Sequence, residues 1–181
     1  TNAIEMALEA GLDTVKFFPA ENAGGVKMLK ALAGPYVNIH FMPTGGVNKD
    51  NLLDYLSFDK VVACGGSWMV KKDLIAKEQF DEITRLSREA VMSMLNFRVV
   101  HVGINNDSEE EANEQVNRIA GLFGFGKEVK SASTFASDGI EVCRKRFPGA
   151  HGHIAIGTSS CERAMYFLSK NGAEFDMETA K

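Results

Sequence analysis

Cysteine is scarce in this chain of 181 residues, and its three copies, Cys64, Cys143 and Cys161, lie far apart. Small secreted domains are commonly held together by closely spaced disulfides, and structural zinc sites often use cysteines separated by two residues. Neither arrangement is present in this sequence. The cysteine pattern therefore argues against a disulfide scaffold and a cysteine-based zinc site, and it favours a reducing, cytoplasmic setting.

Long apolar runs and an excess of positive charge are also missing. The sequence has no stretch of about 18 apolar residues and no basic segment leading into a shorter one, so we predict neither a membrane span nor a signal peptide. The formal net charge is −4, from 20 basic and 24 acidic side chains. We therefore expect no nucleic-acid partner and no membrane partner. The hydrophobic content of 45% is that of an ordinary globular protein.

Three apolar segments in the first half recur at a nearly constant step. Val15, Ile39 and Val62 occupy corresponding places in them, 24 and 23 residues apart. Helical patterns lie between the segments, and this alternation favours an α/β fold with a parallel sheet. A longer helical pattern covers residues 78–95. The predicted strands are residues 14–18, 37–42 and 60–64.

Lys16 is unusual because it lies within an apolar, strand-like run between Val15 and Phe17. Burial disfavours a charged ammonium and favours the neutral amine, which is the form that attacks a carbonyl to give a Schiff base. Taken alone, such a lysine is more often a strand-end residue whose ammonium reaches solvent. Its assignment as a nucleophile therefore depends on the motifs downstream.

Glycine pairs follow the second and third predicted strands, in a fixed order after the lysine. The three motifs are Lys16-Phe17-Phe18-Pro19, Pro43-Thr44-Gly45-Gly46 and Gly65-Gly66-Ser67-Trp68. Together they resemble the class I 2-keto-3-deoxy-6-phosphogluconate aldolase family, whose members also act on 4-hydroxy-2-oxoglutarate. The resemblance covers roughly residues 1–95.

The aldolase resemblance implies that residues 1–95 form the C-terminal portion of a (βα)8 barrel. It implies a lyase, a Schiff-base aldolase that cleaves 2-keto-3-deoxy-6-phosphogluconate or 4-hydroxy-2-oxoglutarate to pyruvate and an aldehyde. Neither a metal nor an organic cofactor is expected for this reaction. The expected partner is a small keto acid, phosphorylated in the first case.

The same resemblance assigns roles to individual residues. Lys16 is expected to be the catalytic nucleophile, Phe18 to form a wall of the pocket, and Thr44 to contact the carboxylate or carbonyl of the substrate. The loops after the last two strands of such barrels commonly bind phosphate through backbone N–H groups. The residues expected to form this phosphate site are Gly45, Gly46, Gly66 and Ser67.

The first half is too short to close a barrel. A (βα)8 barrel needs roughly 200 residues or more, and by resemblance the first five strands are not in this sequence. The family's glutamate general base and an arginine come from those strands. We therefore expect either a partial barrel or a piece of a longer chain. A partial barrel exposes apolar surface, so we predict a homo-oligomer with negligible cleavage activity of its own.

A different pattern begins after Leu95. Residues 97–105 predict a strand, Ser108 and Glu111 form a capping box, and the helix that follows ends at Gly124. Further strands are predicted at residues 127–135 and 139–146.

The opening of this second pattern returns 52 residues later along the chain. Ser159 and Glu162 repeat the capping box, ahead of a second helical pattern. The return indicates an internal repeat of a module made of a strand, a helix and further strands. The matched openings are His101-Val102-Gly103-Ile104 and His153-Ile154-Ala155-Ile156.

The repeated module resembles the vicinal oxygen chelate fold of glyoxalases and dioxygenases, in which paired βαβββ modules form a cupped sheet. It implies an α+β, glyoxalase-like domain over residues 97–181 that is incomplete at its C-terminus. In metal-binding members a histidine opens each module and a glutamate comes from a late strand, which places ligands at His101, Glu141 and His153. Two imidazoles and a carboxylate suit a divalent transition metal with open coordination positions.

Three hypotheses for function remain open from the sequence. The first is the Schiff-base aldolase, and the second is a metal-dependent isomerase, lyase or dioxygenase of the vicinal oxygen chelate type. The third is a non-catalytic binding module fused to an aldolase remnant. Trapping with pyruvate and borohydride separates the first from the others, and metal analysis separates the second from the third.

Overall fold

The structure is a computed structural model that describes residues 2–146 and 149–179. The chain divides into two compact units, Thr1–Leu95 and Asn96–Lys181, and helices and strands occur in both. None of the helices in the described ranges has both the length and the apolar composition that a membrane crossing requires.

In the first unit, short parallel strands lie among helices. Strand β1 pairs with β2, and Lys16 lies opposite Met42 in this register. The elements are α1 (Asn2–Glu9), β1 (Thr14–Phe17), α2 (Gly25–Ala33), β2 (His40–Pro43), α3 (Leu52–Leu56), α4 (Lys72–Ala76) and α5 (Phe80–Leu95).

The prediction of a third strand at residues 60–64 is wrong. Only isolated parallel bridges form there, from Val61 to Phe41 and from Gly65 to Thr44. The segment nevertheless runs beside β2, because the Val62 N–H donates to the Phe41 carbonyl (3.2 Å) and the Gly65 N–H donates to the Pro43 carbonyl (3.0 Å). It therefore still delivers the second glycine pair to the end of the sheet where the first pair lies.

The small sheet has one packed face and one open face. On β1, Val15 and Phe17 pack on the core of the unit, which includes the fully buried Leu29 and Tyr55. Because side chains alternate along a strand, Lys16 lies on the other face and is exposed. In a closed barrel, alternate residues of each strand face the interior, and this open face is the one that lacks a helix layer.

The second unit is built on a five-stranded mixed sheet with the order β4-β5-β6-β3-β7. Strand β3 runs parallel to β6 and antiparallel to β7. The elements are β3 (Arg98–Asn105), α6 (Glu109–Phe123), β4 (Lys127–Val129), β5 (Ser133–Ala136), β6 (Ile140–Cys143), β7 (Gly152–Gly157), α7 (Cys161–Lys170) and a 3-10 turn (Met177–Thr179).

Helix α6 covers one face of this sheet. Ala112 and Val116 on the helix pack against Ala136 and Val142 on β5 and β6. The residues that alternate with these along the strands point to the opposite face, and the pair Gly103 and Glu141 is among them. Helix packing thus determines which side chains of β3 and β6 line the uncovered face.

The helix starts of this unit agree with the sequence in one case and differ in the other. The Ser108 hydroxyl accepts a hydrogen bond from the Glu111 N–H (3.1 Å), so the first predicted cap is confirmed. The second cap is Ser160, which accepts from the Arg163 N–H (3.3 Å), and not Ser159.

The predicted strand over 127–135 is also wrong as one element, because it turns back at residues 130–132 to form the antiparallel pair β4 and β5.

Candidate functional site

Lys16 lies on the open face of the small sheet, where its ammonium is 5.3 Å from the centre of the Phe18 ring. This distance is within the range of a cation–π contact. Phe18 is 67% exposed, and its neighbours on the same face, Met42 and Val62, are 40% and 46% exposed. Lys16 is therefore exposed, whereas the apolar run suggested that it would be buried.

The turn that follows β1 is joined to the loop that follows β2. The Thr44 N–H donates to the Phe17 carbonyl (2.8 Å), and the N–H groups of Ala20 and Glu21 donate to the carbonyls of Thr44 (2.8 Å) and Gly45 (3.1 Å). These hydrogen bonds hold the lysine strand and the first glycine pair in a fixed relation.

Side chains from neighbouring segments fill the space that each loop glycine leaves. A methyl group on Gly45 would lie 2.8 Å from the Phe18 ring, and one on Gly46 would lie 2.6 Å from Glu21. A methyl group on Gly66 would lie 1.8 Å from the Trp68 ring. The glycines are thus required for packing within the loops, whatever ligand the loops bind.

The backbone of these loops nevertheless offers hydrogen-bond donors at the end of the sheet. Within residues 2–146 and 149–179, no hydrogen bond is found for the N–H groups of Gly46, Gly66 and Ser67. The Gly45 N–H is directed at the Gly65 carbonyl by the parallel bridge between Thr44 and Gly65. Gly45 and Gly46 both have positive φ, +88° and +85°, a region that favours glycine. Successive N–H groups in a turn can form a concave surface that binds anions.

The Thr44 hydroxyl oxygen lies next to these donors and is shielded from solvent. It has no hydrogen-bond partner among the described residues. An unsatisfied buried polar group costs about 1 to 3 kcal/mol. A ligand hydrogen-bonded to Thr44 would remove this cost.

Glu21 and Tyr55 form a further contact that the motifs do not indicate. Tyr55 is fully buried, and its hydroxyl donates to Glu21 Oε1. Burial, followed by the hydrogen bond to Glu21, holds the pKa of Tyr55 well above its usual range, so the hydroxyl stays protonated. The pair connects α3 to the turn after β1. No signal in the sequence identifies it, because the partners are 34 residues apart.

A cavity of about 670 Å³ lies beside this pair and includes Gly25, Lys30 and Asn51 in its lining. None of the predicted aldolase residues lines it. The predicted nucleophile, Lys16, lies instead on the open face of the small sheet.

In the second unit, the sheet brings together His101, Glu141 and His153. The two Nε2 atoms are 3.1 Å apart, and each is 3.1 Å from Glu141 Oε2. The three side chains are partly buried, with 19%, 17% and 26% of their surface exposed. The sequence separations are large, so the cluster is made by the pairing of β3 with β6 and with β7.

The three ligand atoms are arranged as one face of the coordination polyhedron of a metal ion. They form an equilateral triangle of 3.1 Å edges, whose centre is about 1.8 Å from each corner. A metal ion with bonds of about 2.0 to 2.1 Å would therefore lie about 1 Å above the triangle. Two imidazoles and one carboxylate on one face match a known metal-binding set that leaves positions open. The ligand residues thus fit a divalent transition metal.

Residues around the cluster restrain its members. The buried Ser133 hydroxyl donates to Glu141 Oε1 (2.5 Å), which leaves Oε2 directed at the imidazoles. The His101 ring packs edge-on against Phe135 at 5.2 Å between ring centres. Burial, together with the charge of Glu141, raises the pKa of the Cys143 thiol. The sequence does not identify Ser133 or Phe135, because their proximity depends on strand register.

Comparison with known proteins identifies relatives of the first half of the chain. Residues 1–86 match the family described as KDPG and KHG aldolase. The chain is 58% identical over 89 residues to the 2-dehydro-3-deoxy-phosphogluconate aldolase of Haemophilus influenzae, which covers 49% of this chain and 42% of that protein. It is 48% identical over 86 residues to the KHG/KDPG aldolase of Escherichia coli K12, with 48% and 40% covered.

Among solved structures, the chain is 40% identical to a KDPG aldolase from Legionella pneumophila, in which pyruvate is captured as a covalent carbinolamine intermediate. That match has a TM-score of 0.46 and covers 47% of this chain and 41% of the other. The chain therefore spans about two fifths of the length of these relatives.

Proposed function

We propose that the first unit is the lysine-bearing part of a Schiff-base aldolase, a lyase for 2-keto-3-deoxy-6-phosphogluconate or 4-hydroxy-2-oxoglutarate. The observation that carries the proposal is Lys16 on the open end of β1, beside two glycine loops, in a segment that is 58% identical to a curated aldolase. The whole enzyme's barrel would enclose the face that is open in this unit.

The chemistry follows from the amine of Lys16. The neutral amine attacks the keto carbon of the substrate, a C=N bond forms and water leaves. A base then removes the proton of the substrate hydroxyl, and the protonated imine accepts the electron pair of the breaking C–C bond. This step releases the aldehyde and leaves an enamine, which is protonated at carbon and hydrolysed to pyruvate and the free lysine. No metal or organic cofactor takes part in these steps. Phe18, whose ring contacts the ammonium, forms a wall beside the reacting carbon.

The direct test of this proposal is reductive trapping. Pyruvate and borohydride together should add the mass of one reduced pyruvate to the intact protein, because hydride converts the imine to a stable secondary amine. Borohydride alone and pyruvate alone serve as controls. If no adduct forms with both reagents, this chain does not carry out the imine step.

We propose that Thr44 holds the carboxylate or carbonyl of the substrate, and that the glycine loops hold its phosphate. The shielded Thr44 hydroxyl and the free N–H groups of Gly46 and Gly66 support this assignment. Ser67 would add a hydroxyl donor at the same place. Free phosphate should bind these loops, and the amide signals of Gly45, Gly46, Gly66 and Ser67 should shift as it does.

Replacing Ser67 with alanine should weaken the binding of inorganic phosphate by about tenfold or more, since a hydrogen bond to a charged group contributes about 1.5 to 3 kcal/mol. This change is easier to interpret than a substitution of Gly66, because any side chain added at position 66 would collide with Trp68. The measurement is an amide chemical-shift titration with phosphate. Ser57→Ala is the matched control on the exposed end of α3. Equal phosphate affinity in wild type and Ser67→Ala would remove Ser67 from the site.

We propose that this chain associates with itself through the open face of the small sheet. Phe18, Met42 and Val62 are exposed there. Contiguous exposed apolar surface of this kind favours association.

Met42→Lys should shift the protein toward monomer in sedimentation velocity, because a charge then lies on the associating face. Met6→Lys, on the exposed side of α1, should leave association unchanged, although Met6 is more exposed (69% against 40%). A wild-type protein that sediments as a monomer would contradict the association.

We propose a second function for the other unit, as a glyoxalase-like domain that binds a divalent metal through His101, Glu141 and His153. The mutual distances of 3.1 Å among the three ligand atoms support it. The strand order supports it as well, since β3, α6, β4, β5 and β6 form one βαβββ module and β7 with α7 begins another. When bound, such a metal would act as a Lewis acid toward a substrate oxygen.

Two side chains of this chain would prepare that site for the metal. Ser133 orients the carboxylate of Glu141, and Phe135 restrains the ring of His101. Equilibrium dialysis against Zn²⁺ should give one ion per chain. A chain that retains no Zn²⁺ after dialysis would leave the unit as a non-catalytic binding module.

A further inference from the structure

We infer that Gly103 is a positioning residue for the proposed metal site, because its missing side chain leaves the space in which the His153 ring reaches the other two ligands. This inference rests on the metal-binding function proposed above. It adds a residue that neither the ligand motif nor the repeat identifies as functional.

Gly103 lies at the centre of the ligand cluster. On β3 it is opposite Glu141 of β6 on one side and opposite His153 of β7 on the other. A methyl group on Gly103 would lie 2.0, 2.4 and 2.6 Å from Cε1, Nδ1 and Nε2 of His153. Real Cβ atoms do not come that close to ring atoms, so the imidazole lies across the α-carbon of Gly103.

Backbone conformation does not explain the glycine. Gly103 is absent from the glycines of positive φ in the described residues. Glycine weakens the interior of a strand, and β3 is paired on both sides. A glycine in such a strand often marks a close approach by another group, and here the approaching group is the imidazole of His153.

The internal repeat provides a comparison within the same chain. Ala155 corresponds to Gly103 in the second copy of the motif, and it lies opposite His101. The two imidazole rings are nearly perpendicular, at 83°. His101 therefore has Ala155 opposite it in the sheet, whereas His153 lies over Gly103, where the methyl group of an alanine would not fit.

An added methyl group at Gly103 must displace the His153 ring. Its Nε2 would then leave the triangle, and two ligand atoms would remain. Changing a group that supports a metal ligand commonly costs 10- to 100-fold in metal affinity. We therefore expect Gly103→Ala to weaken Zn²⁺ binding by at least about tenfold.

The test is a double-mutant cycle in the full chain, read as Zn²⁺ affinity by competition with a chromogenic chelator. The proteins are wild type, Gly103→Ala, His153→Ala and the double variant. Gly103→Ala should lower affinity in the wild-type background but change it by less than about twofold when His153 is already alanine, since coupled residues are not additive. Gly121→Ala, where an added methyl group meets nothing within 4 Å, should bind like wild type.

The outcomes separate this inference from the function on which it rests. If wild type binds no Zn²⁺, the metal site itself is wrong. If wild type binds Zn²⁺ and Gly103→Ala binds equally well, or loses the same factor in both backgrounds, Gly103 does not position His153. If Gly103→Ala fails to fold, the folding of the double variant shows whether the clash with the His153 ring is the cause. Recovery of the fold when the ring is removed supports the clash, and failure of the double variant when His153→Ala folds contradicts it.

Discussion

Lys16→Arg should abolish the adduct that pyruvate and borohydride form with this protein. The guanidinium stays protonated in proteins and has no free electron pair with which to attack the keto carbon. The substitution keeps the positive charge and the possibility of stacking on Phe18, which lies 5.3 Å from the ammonium. The expected result is therefore a folded protein with no mass increase, measured on the intact chain by mass spectrometry.

Lys27→Arg and Lys30→Arg are the controls for this experiment. Both lysines are on the nearby helix α2 and are exposed, so they are available for nonspecific reaction with pyruvate. Each control variant should be labelled like wild type. A full adduct on Lys16→Arg would show that another amine reacts, and the assignment of the nucleophile would fail.

Glu141→Gln should lower the affinity of the second unit for Zn²⁺ by at least about 100-fold, which is the upper end of the effect expected for a supporting residue alone. The amide keeps the shape of the side chain but removes the charge that faces both imidazoles at 3.1 Å. Wild-type affinity should also fall as the solution is acidified, because protons compete with the metal for all three ligands. Isothermal titration with Zn²⁺ measures both effects.

The matched controls replace residues of the same type outside the cluster. Glu110→Gln changes an exposed carboxylate near the start of α6, and His151→Ala removes an exposed imidazole close to His153 in sequence. Both should bind Zn²⁺ like wild type. If Glu141→Gln binds as tightly as these controls, the ion is held elsewhere.

In the first half, the fold was predictable where local patterns are strong. The predicted alternation of strands and helices and the parallel pairing are confirmed for β1 and β2, whereas the roles of Lys16 and the glycine loops stay predictions. The exposure of Lys16 was not predictable from the apolar run, because strand alternation lets one residue point away from apolar neighbours. Residues 60–64 have strand composition, but parallel pairing needs partners and cover that the unit does not supply.

In the second half, the positions of the chain reversals and the pairing register of the strands could not be predicted from the sequence. Residues 130–132 form the turn between β4 and β5 with no glycine or proline to mark it. The start of α7 shifts by one residue because Ser159 and Ser160 are both good caps. His101, Glu141 and His153 were named from a resemblance, and their distances depend on the register that sets Gly103 between two of them.

The most direct measurement is the location of the pyruvate adduct along the chain. Trypsin cannot cleave after a modified lysine, so labelling of Lys16 should join residues on both sides of it into one adduct-bearing peptide that ends at Lys27. We predict that this peptide appears only with pyruvate and borohydride together. An adduct on Lys27 or Lys30, with normal cleavage after an unmodified Lys16, would contradict it.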